Sequence, residues 1–504
     1  MTPTSPAGWF LDNRRLAPKG RRSFPVVDPS SGRRVAEVAE ATPDDAAAAM
    51  ESAAAAQPAW EDLGGEARAR ILRKAADRLR AGADALATLM TREMGKVLRE
   101  ARAEVDGAID NLDYYAAYGR TLTGEEVAGL PLGETLRLVW VPRGVVVAIT
   151  PWNFPAATVT RKIAPALVGG NTMVLKPASA TPLSALRIAE ALRDAGLPPG
   201  VLNVVTGPGS RLGPALVRHP ACSTVTLTGS TESGVEVLKL AAPRVVKCLL
   251  ELGGKAPVIV ADDAELDWAV RATVWARYWN TGQACIAAER AYVPESLEGD
   301  FLRKVSRLVG SLRVGPGLSP GVDLGPLYSV AARDSVEEKV RASVDGGSQL
   351  VIGGARPRSP ALRAGAFYEP TVLSSVSESD PIASEEVFGP VLPVLRYTDF
   401  DEALARSNAS RYGLSSYVFT NSLTRAERAV RRLRYGETYI NRVGPETPQG
   451  YHAGFGESGL GGEGSRQSVE DYLQRKSVYV DWRSPHRADY FLPYRTSRRP
   501  TSPT

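Results

Sequence analysis

The chain reads as an α/β protein with two doubly wound domains, and three observations carry that reading. From Gly144 onward, short apolar runs alternate with helical segments, the pattern of a parallel sheet covered on both faces. One such set ends near Glu251, and a second starts at Pro257. The length, 504 residues, exceeds what a single compact core fills, so two or three domains are expected.

In chain order, the first fifty residues are polar and strand-poor. Thr42-Pro43-Asp44-Asp45 then opens a long helical stretch. Thr caps it, Pro lies just inside, and Asp suits the first turn. The helical pattern continues from Ala101 to Tyr118. Gly144 to Thr150 is a buried strand, and Arg161 to Val168 a helix. Asn171–Leu175, Val201–Val205, Ser223–Leu227 and Val245–Leu250 are further strands. The intervening helices are Pro182–Asp194, Arg211–Val217 and one opened by Ser230. Strands this apolar fit burial on both faces. The second set runs from Pro257-Val-Ile-Val to about Thr438 and includes an aromatic helix at Trp275–Trp279. Two amphipathic strand segments, 121–141 and 474–483, fit neither set. The boundaries that follow are 1–120 with 142–252 for the first domain and 253–473 for the second. Residues 484–504 are rich in Pro, Arg and Ser and read as a disordered tail.

Composition is that of a globular protein: 43% hydrophobic, 23% charged. The net charge of +5 is spread among interspersed Arg, Asp and Glu. It reads as a solvated surface, so no nucleic-acid partner is expected. No run of about 18 apolar residues offers a membrane span, and the start Met1-Thr-Pro-Thr has no secretory pattern. The three cysteines are Cys222, Cys248 and Cys285. So sparse a set argues against a disulfide framework and for a cytoplasmic location. His219, His452 and His486 lack zinc-site spacing, and no metal is expected.

The chemistry concentrates at two strings. Cys285 lies in Tyr-Trp-Asn-Thr-Gly-Gln-Ala-Cys, where Gly282 and Gln283 make a turn just before it. A thiolate is a strong nucleophile, although an unperturbed thiol has a pKa of about 8.5. Glu251 follows a buried strand in Leu-Glu-Leu-Gly-Gly-Lys, where desolvation raises a carboxyl pKa toward the range useful to a general base. Lys176 ends a strand at the carboxyl edge of the sheet, where ligands bind in such folds. Leu-Thr-Gly-Ser, through Thr228, Gly229 and Ser230, is a strand, a glycine turn and a helix start. It does not match G-x-G-x-x-G, yet its backbone N–H groups suit a pyrophosphate.

Together these motifs resemble the aldehyde dehydrogenase superfamily over roughly residues 22–483. The resemblance implies a Rossmann-type cofactor domain, a catalytic domain, and an oligomerisation sheet from the two strand segments, with a homodimer or homotetramer. It implies that Cys285 attacks an aldehyde, Asn153 and the Cys285 N–H hold the oxyanion, and Glu251 activates water. Lys162 would lie near the proton exit and Glu463 in a secondary relay. NAD+ or NADP+ would be held by Thr150, Pro151, Trp152, Lys176, Ser179, Gly209, Gly213, Thr228, Gly229, Ser230, Gly253, Glu386 and Phe388. Ser179 departs from the Glu found in many NAD-preferring members. A hydroxyl there does not repel a 2′-phosphate, so NADP should be tolerated.

Within the superfamily the chain looks closest to the lactaldehyde/glycolaldehyde dehydrogenases. Arg161, Glu446 and His452 match residues that line a small polar pocket there. An Arg also suits an anionic aldehyde, a semialdehyde or a phosphonate. A CoA-acylating enzyme has no need of the base Glu251, and a non-enzymatic binding protein would not need Cys285, Glu251 and Asn153 intact.

Overall fold

A computed structural model of the chain describes residues 7–482. The tail expectation for 484–504 lies outside them. An eight-stranded sheet runs in the order Arg14–Leu16, Trp9–Leu11, Leu202–Val204, Thr172–Lys176, Val145–Ile149, Cys222–Thr228, Lys247–Glu251, Gly459–Leu460. From Leu202–Val204 to Lys247–Glu251 the neighbours are parallel. The chain winds outward from Val145–Ile149 in one direction, then crosses to Cys222–Thr228 and winds in the other. That switch point is where a doubly wound sheet opens a crevice at its carboxyl edge. Register holds the strand ends level: Ile149 pairs with Lys176 and Thr228 with Glu251.

The first fifty residues are not strand-poor. They form Trp9–Leu11, Arg14–Leu16, Ser23–Val27 and Arg34–Ala39. The strands are only three to six residues long, which hid them. Trp9 and Phe10 nevertheless bury almost completely, and Trp9–Leu11 extends the sheet between Arg14–Leu16 and Leu202–Val204, antiparallel to both. The helix Pro43–Asp62 starts as its sequence indicates. Thr42 accepts from Asp45 N at 3.2 Å, and Asp45 accepts from Thr42 N at 2.8 Å, a reciprocal cap.

A seven-stranded sheet follows: Gln349–Ile352, Thr371–Ser374, Val391–Tyr397, Ala288–Pro294, Ala256–Val260, Ser415–Phe419, Glu437–Ile440. Only Gln349–Ile352 is antiparallel to its neighbour. Ala256–Val260 and Ala288–Pro294 are buried throughout. Each Val or Leu buried in such strands contributes roughly 1.5–3 kcal/mol.

Leu473–Asp481 and Glu134–Pro142 pair antiparallel along their full length, with Glu125–Glu126 on the outer edge. The strand expected over 121–141 is shorter than its string. Thr121 ends the helix Leu98–Thr121, and pairing resumes at Glu134. Among the described residues, no helix is long and apolar enough to cross a membrane.

Candidate active site

Cys285 is presented by a strained turn. The helix Leu266–Tyr278 stops one residue short of the expected Trp279, and Asn280, Thr281 and Gly282 follow with φ of 52°, 57° and 73°. Left-handed backbone at non-glycine residues costs about 1–3 kcal/mol each unless the surroundings enforce it. Here they do. Asn280 N donates to Glu100 at 3.1 Å, Arg277 donates to the Gly282 carbonyl at 2.8 Å, and Tyr328 N donates to Gln283 Oε1 at 2.8 Å. A Cβ on Gly282 would lie 2.3 Å from the Gly389 carbonyl oxygen, so glycine is required there. The turn therefore starts at Asn280, earlier than the Gly282–Gln283 pair suggested.

Asn153 is brought to this turn. Its side-chain amide donates to the Gln283 carbonyl at 3.1 Å. Its own carbonyl accepts from Lys96 Nζ at 2.8 Å and from Asn280 Nδ2 at 3.2 Å. Lys96 pairs in turn with Glu104, whose Oε1 accepts from Ala156 N at 2.8 Å and Ala157 N at 3.2 Å. The loop from Thr150 to Ala157 is thus pinned by a buried ion pair that the sequence did not flag.

Glu251 ends its strand, 3% exposed, and neither carboxylate oxygen has a hydrogen-bond partner. Burial pushes its pKa up to about 8, against the nearby charge of His452. His452 Nε2 lies 3.6 Å from Glu251 Oε2, and the charge of His452 favours the Cys285 thiolate. Burial pushes the half-buried Cys285 thiol up, and the His452 contact works in the opposite sense. Arg161 forms an ion pair with Glu446 beside the cysteine. Burial opposes ionisation of Glu446, but Arg161 outweighs it and holds the carboxyl down at about 2. Ligand atoms of Glu437, Glu446 and His452 come within 4.8 Å of one another. Arg161 already neutralises Glu446, so the cluster is an ion-pair network.

Lys162 does not reach this group directly. Fully buried, it donates to Thr226 Oγ1 at 2.9 Å and pairs with Glu463. The two act on Glu251 only through their fields.

Of the other residues singled out in the sequence, Thr150, Lys176, Thr228 and Gly229 lie at the carboxyl ends of strands of the first sheet. Thr150 N donates to the Lys176 carbonyl at 3.2 Å, with Pro151 next in the chain. Lys176 is 5% exposed, and desolvation lowers its ammonium pKa to about 8. A Cβ on Gly209 would lie 3.6 Å from Lys176 Nζ, so Gly209 leaves that approach open. Ser179 donates to the Gly207 carbonyl at 3.0 Å. Gly229 N donates to the Glu251 carbonyl at 3.0 Å, and Ser230 caps the helix Thr231–Ala241. The buried hydroxyls of Thr150 and Thr228 have no partner. Glu386 accepts from Gly254 N at 2.9 Å, and a Cβ on Gly253 would come within 2.8 Å of Glu386 Oε2. Trp152 packs edge-on to Phe388 at 5.4 Å and stacks on Tyr328 at 3.7 Å. Gly213 stands apart, inside the helix Gly209–Val217 with no heavy atom near its Cβ direction.

Two supports escaped the sequence reading. Glu289 takes Lys255 at 2.7 Å and Arg277 at 2.6 Å, and accepts from Val387 N at 2.9 Å. Burial opposes its charge, but the two cations hold its carboxyl down at about 2. This triad fixes both the Glu386–Phe388 loop and, through Arg277, the cysteine turn. Glu437, in Gly-Glu-Thr-Tyr-Ile, sits 3.2 Å from His452 Nδ1. Neither position stands out in the string, because its partners are distant in sequence.

A family model described as the aldehyde dehydrogenase family matches residues 16–478. The chain is 42% identical over 474 residues to the D-glyceraldehyde dehydrogenase (NADP(+)) of Picrophilus torridus, covering 94% of this chain and 96% of that one. It is 43% identical over 458 residues to the 3,6-anhydro-alpha-L-galactose dehydrogenase of Streptomyces coelicolor, covering 91% and 93%. The crystal structure of lactaldehyde dehydrogenase from Escherichia coli superposes with a TM-score of 0.91 at 37% identity, over 94% of this chain and 100% of that one. The matches cover more than nine-tenths of the chain, and the protein belongs to the aldehyde dehydrogenase family, oxidoreductases that act on aldehydes with NAD or NADP.

Proposed function

We propose that the protein oxidises a short, neutral hydroxyaldehyde to its acid, through a thioester on Cys285 that Glu251 hydrolyses. The observation that carries the substrate class is the Arg161–Glu446 ion pair beside the cysteine. An Arg already neutralised by a buried carboxylate is a poor site for an anion, which would have to displace that carboxylate. The same pair offers donors and an acceptor to substrate hydroxyls. Two relatives are named for glyceraldehyde and lactaldehyde, both 2-hydroxyaldehydes.

The residues fit the cofactor. Lys176 and the unpartnered hydroxyls of Thr150 and Thr228 lie at the carboxyl ends of the parallel strands, and Gly253 lets Glu386 come close. Lys176 and Glu386 would hold the two riboses, and Gly229 and Ser230 the pyrophosphate at a helix N-terminus. Bound there, the nicotinamide supplies the hydride acceptor. The protein does the rest. The Cys285 thiolate adds to the carbonyl carbon and forms a hemithioacetal. The resulting oxyanion meets the Cys285 N–H and the Asn153 amide. One of that amide's two N–H bonds goes to Gln283, which leaves the other for the oxyanion. Such a donor contributes about 3 kcal/mol. Loss of hydride from the same carbon leaves a thioester. Glu251 takes a proton from water, hydroxide adds, and the thiolate leaves with the acid released.

A panel of glycolaldehyde, glyceraldehyde, lactaldehyde, succinic semialdehyde and propanal, read by absorbance of reduced cofactor with both NAD and NADP, tests this reading. The hydroxyaldehydes should show the highest kcat/KM. A preference for the semialdehyde would overturn it.

Arg161→Leu should raise KM for glyceraldehyde far more than for propanal. A hydrogen bond from a charged donor contributes roughly 1.5–3 kcal/mol, which is about 10- to 150-fold. Equal effects on both aldehydes would make Arg161 purely structural.

NADP should be accepted as well as NAD. Ser179 presents a hydroxyl, and Arg211, paired with Glu40, lies next to Gly209 and Gly207 with its side chain 41% exposed. Ser179→Glu should lower the NADP/NAD ratio of kcat/KM by roughly tenfold or more, through loss of a favourable contact and addition of repulsion. An unchanged ratio would place Ser179 away from the adenosine ribose.

A further inference from the structure

We infer that Glu289 is a positioning residue for the hydride step, its carboxylate setting the spacing between the loop that carries Glu386 and the turn that carries Cys285. The inference rests on the proposed thioester chemistry and adds to it what holds the two halves of the site in register.

Glu289 is placed by an irregularity near the start of its strand. Ala256 pairs with Ala288 and Pro257 with Arg290, so the register slips by one and Glu289 is the extra, unpaired residue. A slip of this kind re-aims the side chain. Here it is buried, 1% exposed, and meets only donors. Oε2 accepts from Lys255 Nζ at 2.7 Å and from Val387 N at 2.9 Å. Oε1 accepts from Arg277 at 2.6 Å and from Phe388 N at 3.4 Å. Each oxygen thus holds one cation and one backbone amide of the loop.

These donors come from three separate parts of the site. Lys255 follows the Glu251 string, and its ammonium also donates to the Ile382 carbonyl at 2.9 Å. Arg277 also holds the Gly282 carbonyl at 2.8 Å, and with it the turn before Cys285. Val387 and Phe388 directly follow Glu386. Both segments joined by the carboxylate are strained: Phe388 has φ of 53°, Asn280 of 52° and Thr281 of 57°. Such backbone persists only where the surroundings over-determine it. The segments also touch. A Cβ on Gly282 would lie 2.3 Å from the Gly389 carbonyl oxygen, and one on Gly254 2.4 Å from the Cys285 carbonyl oxygen. Gly254 N in turn donates to Glu386 at 2.9 Å. One buried carboxylate therefore stands at the joint where the loop and the cysteine turn meet.

Hydride transfer is the step that needs both segments. The C–H bond of the hemithioacetal on Cys285 breaks, and its electron pair goes with the hydrogen to oxidised NAD or NADP. The oxyanion's electron pair closes the thioester carbonyl. The turn places the carbon, and on the proposed reading the Glu386 loop helps to hold the acceptor. Thiol attack and thioester hydrolysis draw on Cys285, Asn153 and Glu251 and not on that loop.

Glu289→Gln breaks the joint, because an amide turns its NH2 on one cation and one loop N–H whichever way it is flipped. Two rates of this variant test the inference. One is first-turnover formation of reduced cofactor after rapid mixing with glyceraldehyde and saturating NADP. The other is cofactor-free hydrolysis of p-nitrophenyl acetate, in which Cys285 displaces p-nitrophenolate and Glu251 hydrolyses the acetyl thioester. A small misplacement of reacting groups costs up to about 100-fold, so the first rate should fall at least roughly tenfold more than the second. With glyceraldehyde deuterated at C1, the slowed phase should show a primary isotope effect. Equal losses in the two rates would mean that Glu289 only supports the fold around the cysteine, and would overturn the inference. An unchanged first turnover, or a slowed phase without an isotope effect, would overturn it too. Should Glu289→Gln fail to fold, Glu289→Asp decides, since it keeps the charge and shortens the reach: a wild-type ratio of the two rates ends the inference. Cys285→Ser separates the two readings. If it retains the hydride phase, the thioester reading fails and takes this inference with it; if it loses that phase while the Glu289 variants match wild type, this inference fails alone.

Discussion

Cys285→Ser should abolish aldehyde-dependent formation of reduced cofactor, by roughly ten-thousand-fold or more in kcat. A serine hydroxyl at this position is held by the same turn but does not ionise near neutral pH, so its nucleophilicity falls far below that of a thiolate. The turn itself should survive. Its supports come from Glu100, Arg277 and Tyr328, and none of them contacts the sulfur. Cofactor binding should therefore stay near the wild-type level when titrated by intrinsic fluorescence. Turnover at the wild-type rate would remove the covalent mechanism.

Glu251→Gln should allow one turnover and stall the next. The amide keeps the shape of the side chain but cannot take a proton from water. Loss of a general base costs about 100- to 10,000-fold. Rapid mixing should show a burst of about one reduced cofactor per active site, then a slow steady phase. The wild-type enzyme supplies a second reading of the same group. The ionised carboxylate is the base, and burial raises its pKa to about 8. Deacylation-limited kcat should thus rise with pH through about 8, because below that value the group is protonated and inactive. The Gln variant should lose that limb. A wild-type steady rate in Glu251→Gln would assign the base elsewhere.

Much of the site was legible because single strings carry it. Cys285, Glu251 and Lys176 each sit at a strand end or turn that the local pattern announces, Asn153 came with the family resemblance, and the structure ties Asn153 to the cysteine turn. Pro182–Asp194 has the bounds its sequence indicates. What was missed depends on contacts between distant strings. The strand Trp9–Leu11 exists because two aromatics bury where it extends the sheet, although its neighbours are charged. Glu289 reads as an ordinary strand residue until Lys255 and Arg277 meet it. Glu437 meets His452 only through the fold. The family resemblance put Lys162 near the proton exit, and the structure pairs it with Glu463 behind Glu251. Periodicity reports which faces are buried, but it holds no information about which charges meet inside.

The central claim is a thioester on Cys285 whose hydrolysis needs Glu251. Mass spectrometry of Glu251→Gln, quenched in acid after mixing with glyceraldehyde and NADP, tests it most directly. The account predicts one glyceroyl group per chain, on the peptide that contains Cys285, absent when cofactor is omitted. Reduced cofactor formed with no acyl group on Cys285 would contradict it.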